Sequence, residues 1–183
     1  MKIISIDIET TGIDHDTHQI LEVGAIIDDL MDQKPIEELP RFHTYFTYDE
    51  LIGHPYALSM HPVILRRIAT KEKPYSYIEP KHFGKKFVGW LEENGVKGSI
   101  TAAGKCFGAF DLQFLRKLPR FNLHISSRVL DPAILYWEPG DIKIPDTLEC
   151  MKRAGIEGEP AHTALEDAEV IVKLIRKKFP IEA

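Results

Sequence analysis

The sequence predicts an α/β fold: a five-stranded mixed sheet with helices on both faces. Three observations predict it. Three segments with strand-like alternation or β-branched apolar runs come first. Helical periodicity then alternates with two further short apolar runs, and two amphipathic helical segments follow. The 183 residues suit one domain, 44% of them hydrophobic and 28% charged, and no linker-like composition divides residues 1–183. A single domain is expected.

Lys2 to Glu9 reads as the first strand, with Ile4, Ile6 and Ile8 on one face and Ile3, Ser5, Asp7 and Glu9 on the other. Thr10-Thr11-Gly12 ends it. Gln19 to Asp28 and Arg41 to Tyr48 are the second and third strands, joined by a long hairpin loop through Pro35 and Pro40. Tyr56 to Ala69 has helical spacing in Leu58, Val63, Leu65 and Ile68, and Lys81 to Asn94 is a second helix closed by Gly95. Ser99 to Ala103 is a short buried strand, and a glycine turn leads to a helix from Ala109 to Leu118. Arg128 to Asp131 is the fifth strand. After a loop with Pro139-Gly140 and Pro145 come helices at Thr147 to Ala154 and Ala164 to Phe179.

Composition narrows the function. The net charge of −5 disfavours a protein that tracks long duplexes by counterion release, but not a small site that brings its own cations. No apolar run approaches the 18 or more residues of a membrane span, and the opening Met1-Lys2-Ile3-Ile4-Ser5-Ile6-Asp7 reaches an acid too early for a signal peptide. Cys106 and Cys150 imply no disulfide framework, so a cytoplasmic protein with no membrane association is expected.

The chemistry lies in carboxylates that break the pattern. Asp7 and Glu9, two apart on a strand, share one face, and two adjacent anions repel unless a cation or proton intervenes. Asp111 stands three, four and seven residues before Phe114, Leu115 and Leu118, on the stripe of its helix that should face the sheet. It also stands early in that helix, where the dipole favours an anion. His162-Thr163-Ala164-Leu165-Glu166-Asp167 contains a Thr163/Glu166 capping box, which starts a helix just after Thr163. His162 is then left in the loop, and Asp167 stands about one turn inside the helix.

Four carboxylates in one cleft are tenable only if cations neutralise them, and all-oxygen ligands suit Mg²⁺ or Mn²⁺ rather than zinc. Two such ions form a clamp for in-line phosphoryl displacement. The remaining need is a general base that titrates near neutrality, and His162 fits it.

The order Asp7-x-Glu9-Thr10-Thr11-Gly12, Phe110-Asp111-x-x-Phe114-Leu115, His162-x₄-Asp167-Ala168 resembles the DEDDh family of 3′→5′ exonucleases, from Ile3 to about Ile175. The resemblance implies a ribonuclease H-like fold, a five-stranded sheet whose first three strands are antiparallel, and two divalent cations. Asp7, Glu9 and Asp167 would hold the ion that activates water, Asp7 would bridge to the second, Asp111 would support the site, and His162 would take the proton from water. The backbone at Thr10 and Thr11 would pack on the terminal nucleotide, with Met60 and His61 near substrate. The implied activity is removal of nucleoside monophosphates from 3′ ends of single-stranded DNA or RNA. A polymerase or replication partner, and the oligomeric state, stay open.

Family members usually carry an asparagine four or five residues before the third acid, where this chain has Phe107 and Cys106. Cys106 reads as a small buried hydrophobe. Phe107 could stack on a base or pack in the core, and Lys105, in the turn before Asp111, is the basic residue placed to meet phosphate. Asp131 reads as structural. Two rival functions stand beside the exonuclease: a hydrolase of very short oligonucleotides, which the acidic charge makes attractive, and a nuclease-like binding scaffold without catalysis.

Overall fold

A computed structural model describes residues Met1–Pro180. Its strands are β1 (Lys2–Thr10), β2 (Ile20–Asp29), β3 (Arg41–Phe46), β4 (Tyr77–Ile78) and β5 (Ala102–Ala103). Its helices are α1 (Pro55–Met60), α2 (Pro62–Thr70), α3 (Pro80–Glu93), α4 (Asp111–Lys117), α5 (Pro132–Leu135), α6 (Thr147–Ala154) and α7 (Ala164–Lys178). The strands form one sheet in the order β4-β3-β2-β1-β5. β1, β2 and β3 pair antiparallel, while β5 joins β1 and β4 joins β3 in parallel. The mixed sheet with an antiparallel opening is the one the sequence predicts. Among the described residues, no helix is long and apolar enough to cross a membrane.

The alternation along β1 decides which layer covers which side. Ile4, Ile6 and Ile8 enter the larger core, with Phe42 of β3, Phe83 and Phe87 of α3, and Phe114 and Leu115 of α4. The opposite face belongs to α7: Ile3 packs with Ile171 and Ile175, and the Ser5 hydroxyl donates to the Ala168 carbonyl at 2.8 Å. Asp7 and Glu9 continue that second face, so the helix that carries Asp167 lies over them. β2 is the central strand, and Ile20 through Asp28 are all buried. Such a strand cannot leave a charge in water, and its two buried acids are both partnered. Asp28 takes a bidentate pair from Arg176 of α7, Nη2 to Oδ1 at 2.6 Å and Nε to Oδ2 at 2.9 Å. Losing one partner of such a pair costs about 3–5 kcal/mol, so Asp28 and Arg176 fix the far end of α7 to the sheet. Glu22 is taken up below.

Three expected elements are corrected. The helix predicted over 56–69 is two helices, because Pro62 has no N–H to continue α1 and instead opens α2. Its buried stripe shifts accordingly: Ile64 is buried while Val63 is exposed. The segment 128–131 is not a strand. It touches the sheet through a single bridge between Ala103 and Leu130, because Asp131 and Pro132 at once start α5. The fifth strand is instead Tyr77–Ile78 on the other edge, a two-residue element too short for any periodicity to reveal. The strand expected at 99–103 is reduced to Ala102–Ala103, with a bridge between Ile100 and Ile125 beside it.

Candidate active site

β1, α4 and α7 bring their acids to one cleft of about 550 Å³. Asp7, Glu9, Lys105, Asp111, His162 and Asp167 all line it, with Asp146 and Thr147 at the start of α6 and Glu159 and Pro160 in the loop before α7. Asp7, Glu9 and Asp167 each offer a carboxylate oxygen, and the three oxygens lie within 4.8 Å of one another. That spacing and an all-oxygen donor set fit a hard divalent cation. Asp111 stands beside them at the first position of α4, buried, with its Oδ1 accepting the Ile8 N–H at 3.2 Å. The two readings of Asp111, as an anion at a helix N-terminus and as a carboxylate facing the sheet, describe the same position.

Electrostatics show what this crowding costs without a cation. Asp7 is pushed well above the usual carboxylate range, first by burial and then by repulsion from Asp111, Glu9, Asp167 and Glu22. Glu9 is raised to about 8 by burial, followed by Asp167, Glu22 and Asp111. Burial raises Asp111 to about 7 against the opposing effect of its backbone hydrogen bonds, and Asp167 is raised mainly by burial. Four neighbouring acids that resist ionisation are a site short of positive charge.

The loop before α7 places His162. Its φ is +53°, a left-handed conformation uncommon for a non-glycine residue, and the side chain is exposed at the cleft. The preceding Ala161 N–H donates to Asp167 Oδ1 at 3.2 Å, which ties the histidine's loop to the carboxylate of the helix. The helix starts at Ala164, as the capping motif predicts, but the motif works differently: Thr163 Oγ1 donates to Glu166 Oε2 at 2.7 Å, and Thr163 caps no backbone N–H. The Ala164 N–H is instead taken by Glu22 Oε2 of β2 at 3.2 Å.

Glu22 is the residue that sequence reasoning passes over. It pairs in register with Glu9, is almost fully buried, and its Oε1 accepts from His43 Nε2 of β3 at 2.5 Å. His43, which shows no partner pattern in the sequence, is thus the buried glutamate's partner. Once β2 is known to be buried on both faces the reason is plain: a glutamate inside such a strand requires a buried partner.

The expected substrate-side residues divide. His61 is buried between α1 and α2 with Nε2 3.4 Å from Glu9 Oε2, and burial pushes its imidazole below the ordinary value. Met60 beside it is exposed. Thr10 and Thr11 are buried, and their hydroxyls serve the turn: Thr10 donates to the Gly12 carbonyl at 2.7 Å, and Thr11 donates to the Ile52 carbonyl at 2.6 Å while accepting the Gln19 N–H at 2.8 Å. Lys105 is half-buried on the cleft wall.

Phe107 is fully buried in the larger core, which removes it as a stacking platform for a base. Cys106 corrects the expectation of a buried thiol: it is exposed. Its N–H donates to Asp131 Oδ2 at 2.9 Å while Asp131 Oδ1 caps α5 through the Ala133 N–H at 2.8 Å, so Asp131 is structural. Cys106 also has φ +53°, in the left-handed region where asparagine is several-fold enriched. Cys106→Asn is therefore expected to stabilise the protein by about 0.5–1 kcal/mol, or about 1–4 °C in Tm. Differential scanning calorimetry checks this, and an unchanged or lower Tm would remove the conformational explanation.

No protein-family model matches the chain. A PolC-type DNA polymerase III of Clostridium perfringens is 27% identical over 176 residues, which is 94% of this chain and 11% of the polymerase. Escherichia coli exonuclease I in complex with a dT13 oligonucleotide superposes with a TM-score of 0.65 at 15% identity, over 98% of this chain and 42% of that one. The zinc-bound exonuclease I–ssDNA complex gives 0.67 at 16% identity, over 98% and 41%. The Neurospora crassa Pan2 catalytic unit, with protease and nuclease domains, gives 0.61 at 18% identity, over 96% of this chain and 26% of that one. The chain thus spans less than half the length of each of these proteins. It has the fold of these exonuclease I structures, and its acidic motifs resemble those of the DEDDh exonucleases.

Proposed function

We propose that this chain is a divalent-metal-dependent 3′→5′ exonuclease that releases nucleoside monophosphates from single-stranded ends. The observation that carries the reading is the meeting of Asp7, Glu9 and Asp167 within 4.8 Å in a cleft that His162 also lines. The fold shared with exonuclease I, whose structures hold single-stranded oligonucleotides, supports it.

Asp7, Glu9 and Asp167 would hold one cation, and Asp7 with Asp111 a second; Mg²⁺ and Mn²⁺ match these donors. Such ions activate water and neutralise the charge that grows on the phosphate in hydrolysis. The remaining work falls to the chain. His162, exposed at the cleft, accepts the proton of the attacking water as its oxygen bonds to phosphorus and the P–O3′ bond to the preceding nucleotide breaks. The Ala161–Asp167 hydrogen bond ties the loop of this base to one of the carboxylates that would hold the metal. His61 packs against Glu9 and restricts its rotamer, and Lys105 offers the wall a cation for a phosphate. Thr10 and Thr11, buried and hydrogen-bonded within the turn, shape the backbone next to Glu9. The likeness to a PolC-type polymerase makes nascent DNA ends a natural substrate to test beside RNA.

The test uses 5′-labelled single-stranded DNA and RNA with Mn²⁺, Mg²⁺ or EDTA. A metal-dependent ladder shortening from the 3′ end is expected, with His162→Ala slower by about 10²–10⁴-fold, the usual worth of a general base. Cleavage confined to two-to-five-mers would favour the short-oligonucleotide hydrolase. Binding of single strands without cleavage by Mn²⁺-loaded protein would favour the scaffold.

A further inference from the structure

The first turn of α7 must sit at a defined height above the sheet, because Asp167 rides on it. Two features of β2 determine that height. The first is Gly24, which stands in register between Asp7 of β1 and His43 of β3. A Cβ there would lie 2.3 Å from both the Ala164 carbonyl carbon and the Leu165 nitrogen, so the helix backbone rests directly on the strand. The second is Glu22, two residues along on the same face of β2 and paired with Glu9. Its Oε2 accepts the Ala164 N–H, one of the four N–H groups a helix start leaves without a partner, at 3.2 Å, and its Oε1 is held by His43. Thr163, the residue placed to cap this turn, is occupied with Glu166. His43 is itself fixed edge-on against Tyr45 and Tyr75, with ring centroids 4.9 and 5.9 Å away.

We propose that Glu22, held by His43, is a positioning residue: it seats the first turn of α7 on β2 and so sets where Asp167 stands relative to Asp7 and Glu9. The proposal rests on the reading of those three acids as the metal-holding set, and it assigns Glu22 no contact with the ion. It caps a helix from a neighbouring strand, and its carboxylate matches the positive end of the helix dipole.

Two measurements on metal-free and Mn²⁺-titrated protein test it. In amide hydrogen exchange, Glu22→Ala is expected to speed exchange at Ala164 to Asp167 by tenfold or more and leave Val172 to Ile175 as in wild type. In calorimetric titration, the same variant is expected to bind Mn²⁺ at least tenfold more weakly. Glu22→Gln is the conservative rescue. Its amide oxygen can accept from Ala164 while its NH₂ donates to the other tautomer of His43, so both readouts should return to within about threefold of wild type. His43→Ala should give the Glu22→Ala signature at smaller size, and it serves if Glu22→Ala does not fold. Wild-type exchange and affinity in Glu22→Ala would overturn the proposal. So would a Glu22→Gln as deficient in Mn²⁺ as Asp7→Ala, which would make Glu22 a ligand. A wild type that neither binds Mn²⁺ nor degrades any oligonucleotide would sink the nuclease reading and the metal consequence with it, while exchange would still decide whether Glu22 seats the helix.

Discussion

Asp7→Asn is expected to abolish hydrolysis and, in the absence of metal, to raise the melting temperature. Most substitutions that inactivate a folded protein leave its stability unchanged or lower it, so the pairing is diagnostic. Asp7 is repelled by Asp111, Glu9, Asp167 and Glu22 and has lost hydration. An amide of the same shape is neutral without having to bind a proton, so the cost of keeping this position uncharged disappears. Relief on the order of 2 kcal/mol corresponds to about 4–8 °C for a chain of this size. The loss of activity should be about 10³-fold or more, since an essential ligand contributes several kcal/mol to the transition state. The pH dependence follows from the same shifts. A carboxyl group whose pKa is higher folded than unfolded binds its proton more tightly in the folded state, so its contribution is full below about pH 4 and is lost as pH rises through the folded value. With Glu9 at about 8, Asp111 at about 7 and Asp7 also raised, the metal-free Tm should fall steadily between pH 5 and 8.5. Mn²⁺ should flatten that profile in wild type and have much less effect in Asp7→Asn. Thermal melts with EDTA or Mn²⁺ across this range check it. A metal-free Asp7→Asn less stable than wild type at pH 8 would contradict the electrostatic account.

Gly24→Ala is expected to have the other large effect, on a residue with no chemistry of its own. The added methyl would meet backbone of Ala164 and Leu165 at 2.3–2.4 Å, and backbone cannot rotate away as a side chain could. The helix must lift or β2 must bend. Overpacking of this kind costs about 1–3 kcal/mol, so Tm should fall by roughly 3–10 °C. Activity should fall further than stability, by about 10²-fold, because an ångström of misplacement is enough to spoil in-line geometry. Gly89, inside α3 with nothing within 4 Å of its missing Cβ, is the control: Gly89→Ala should be as active as wild type and about 0.5–1 kcal/mol more stable. Equal behaviour of the two variants in melts and in the nuclease assay would show that the contact at Gly24 is not tight.

What could be read from the sequence follows a physical division. β1 was legible because strict alternation over eight residues separates a core face from a face shared with α7, and Asp7 and Glu9 interrupt the second one. Asp111 and Asp167 stood out for the same reason, as acids on or beside apolar helical stripes. Glu22 did not, because one acid among Leu21, Val23 and Ala25 looks like ordinary alternation until β2 is known to be buried on both sides. Its partner His43 comes from a different strand, and side-chain pairing across strands leaves no local pattern. The break at Pro62 was visible in principle, since proline ends one helix and starts another; apolar spacing across it masked the stop. β4 and the lone bridge at Leu130 were not visible at all, since one or two residues of pairing are decided by what the flanking chain packs against.

The site is assembled from segments far apart in the chain, and this bears on how the protein is made. β1 leaves the ribosome well before α7. Until the later helix docks, Asp7 and Glu9 have no Asp167 beside them, and Ile3 and Ser5 lack the helix that covers them. An incomplete chain therefore cannot gather the three carboxylates, whatever its local structure. The topology keeps these acids apart during synthesis, and completion of the fold is the step that creates the cleft.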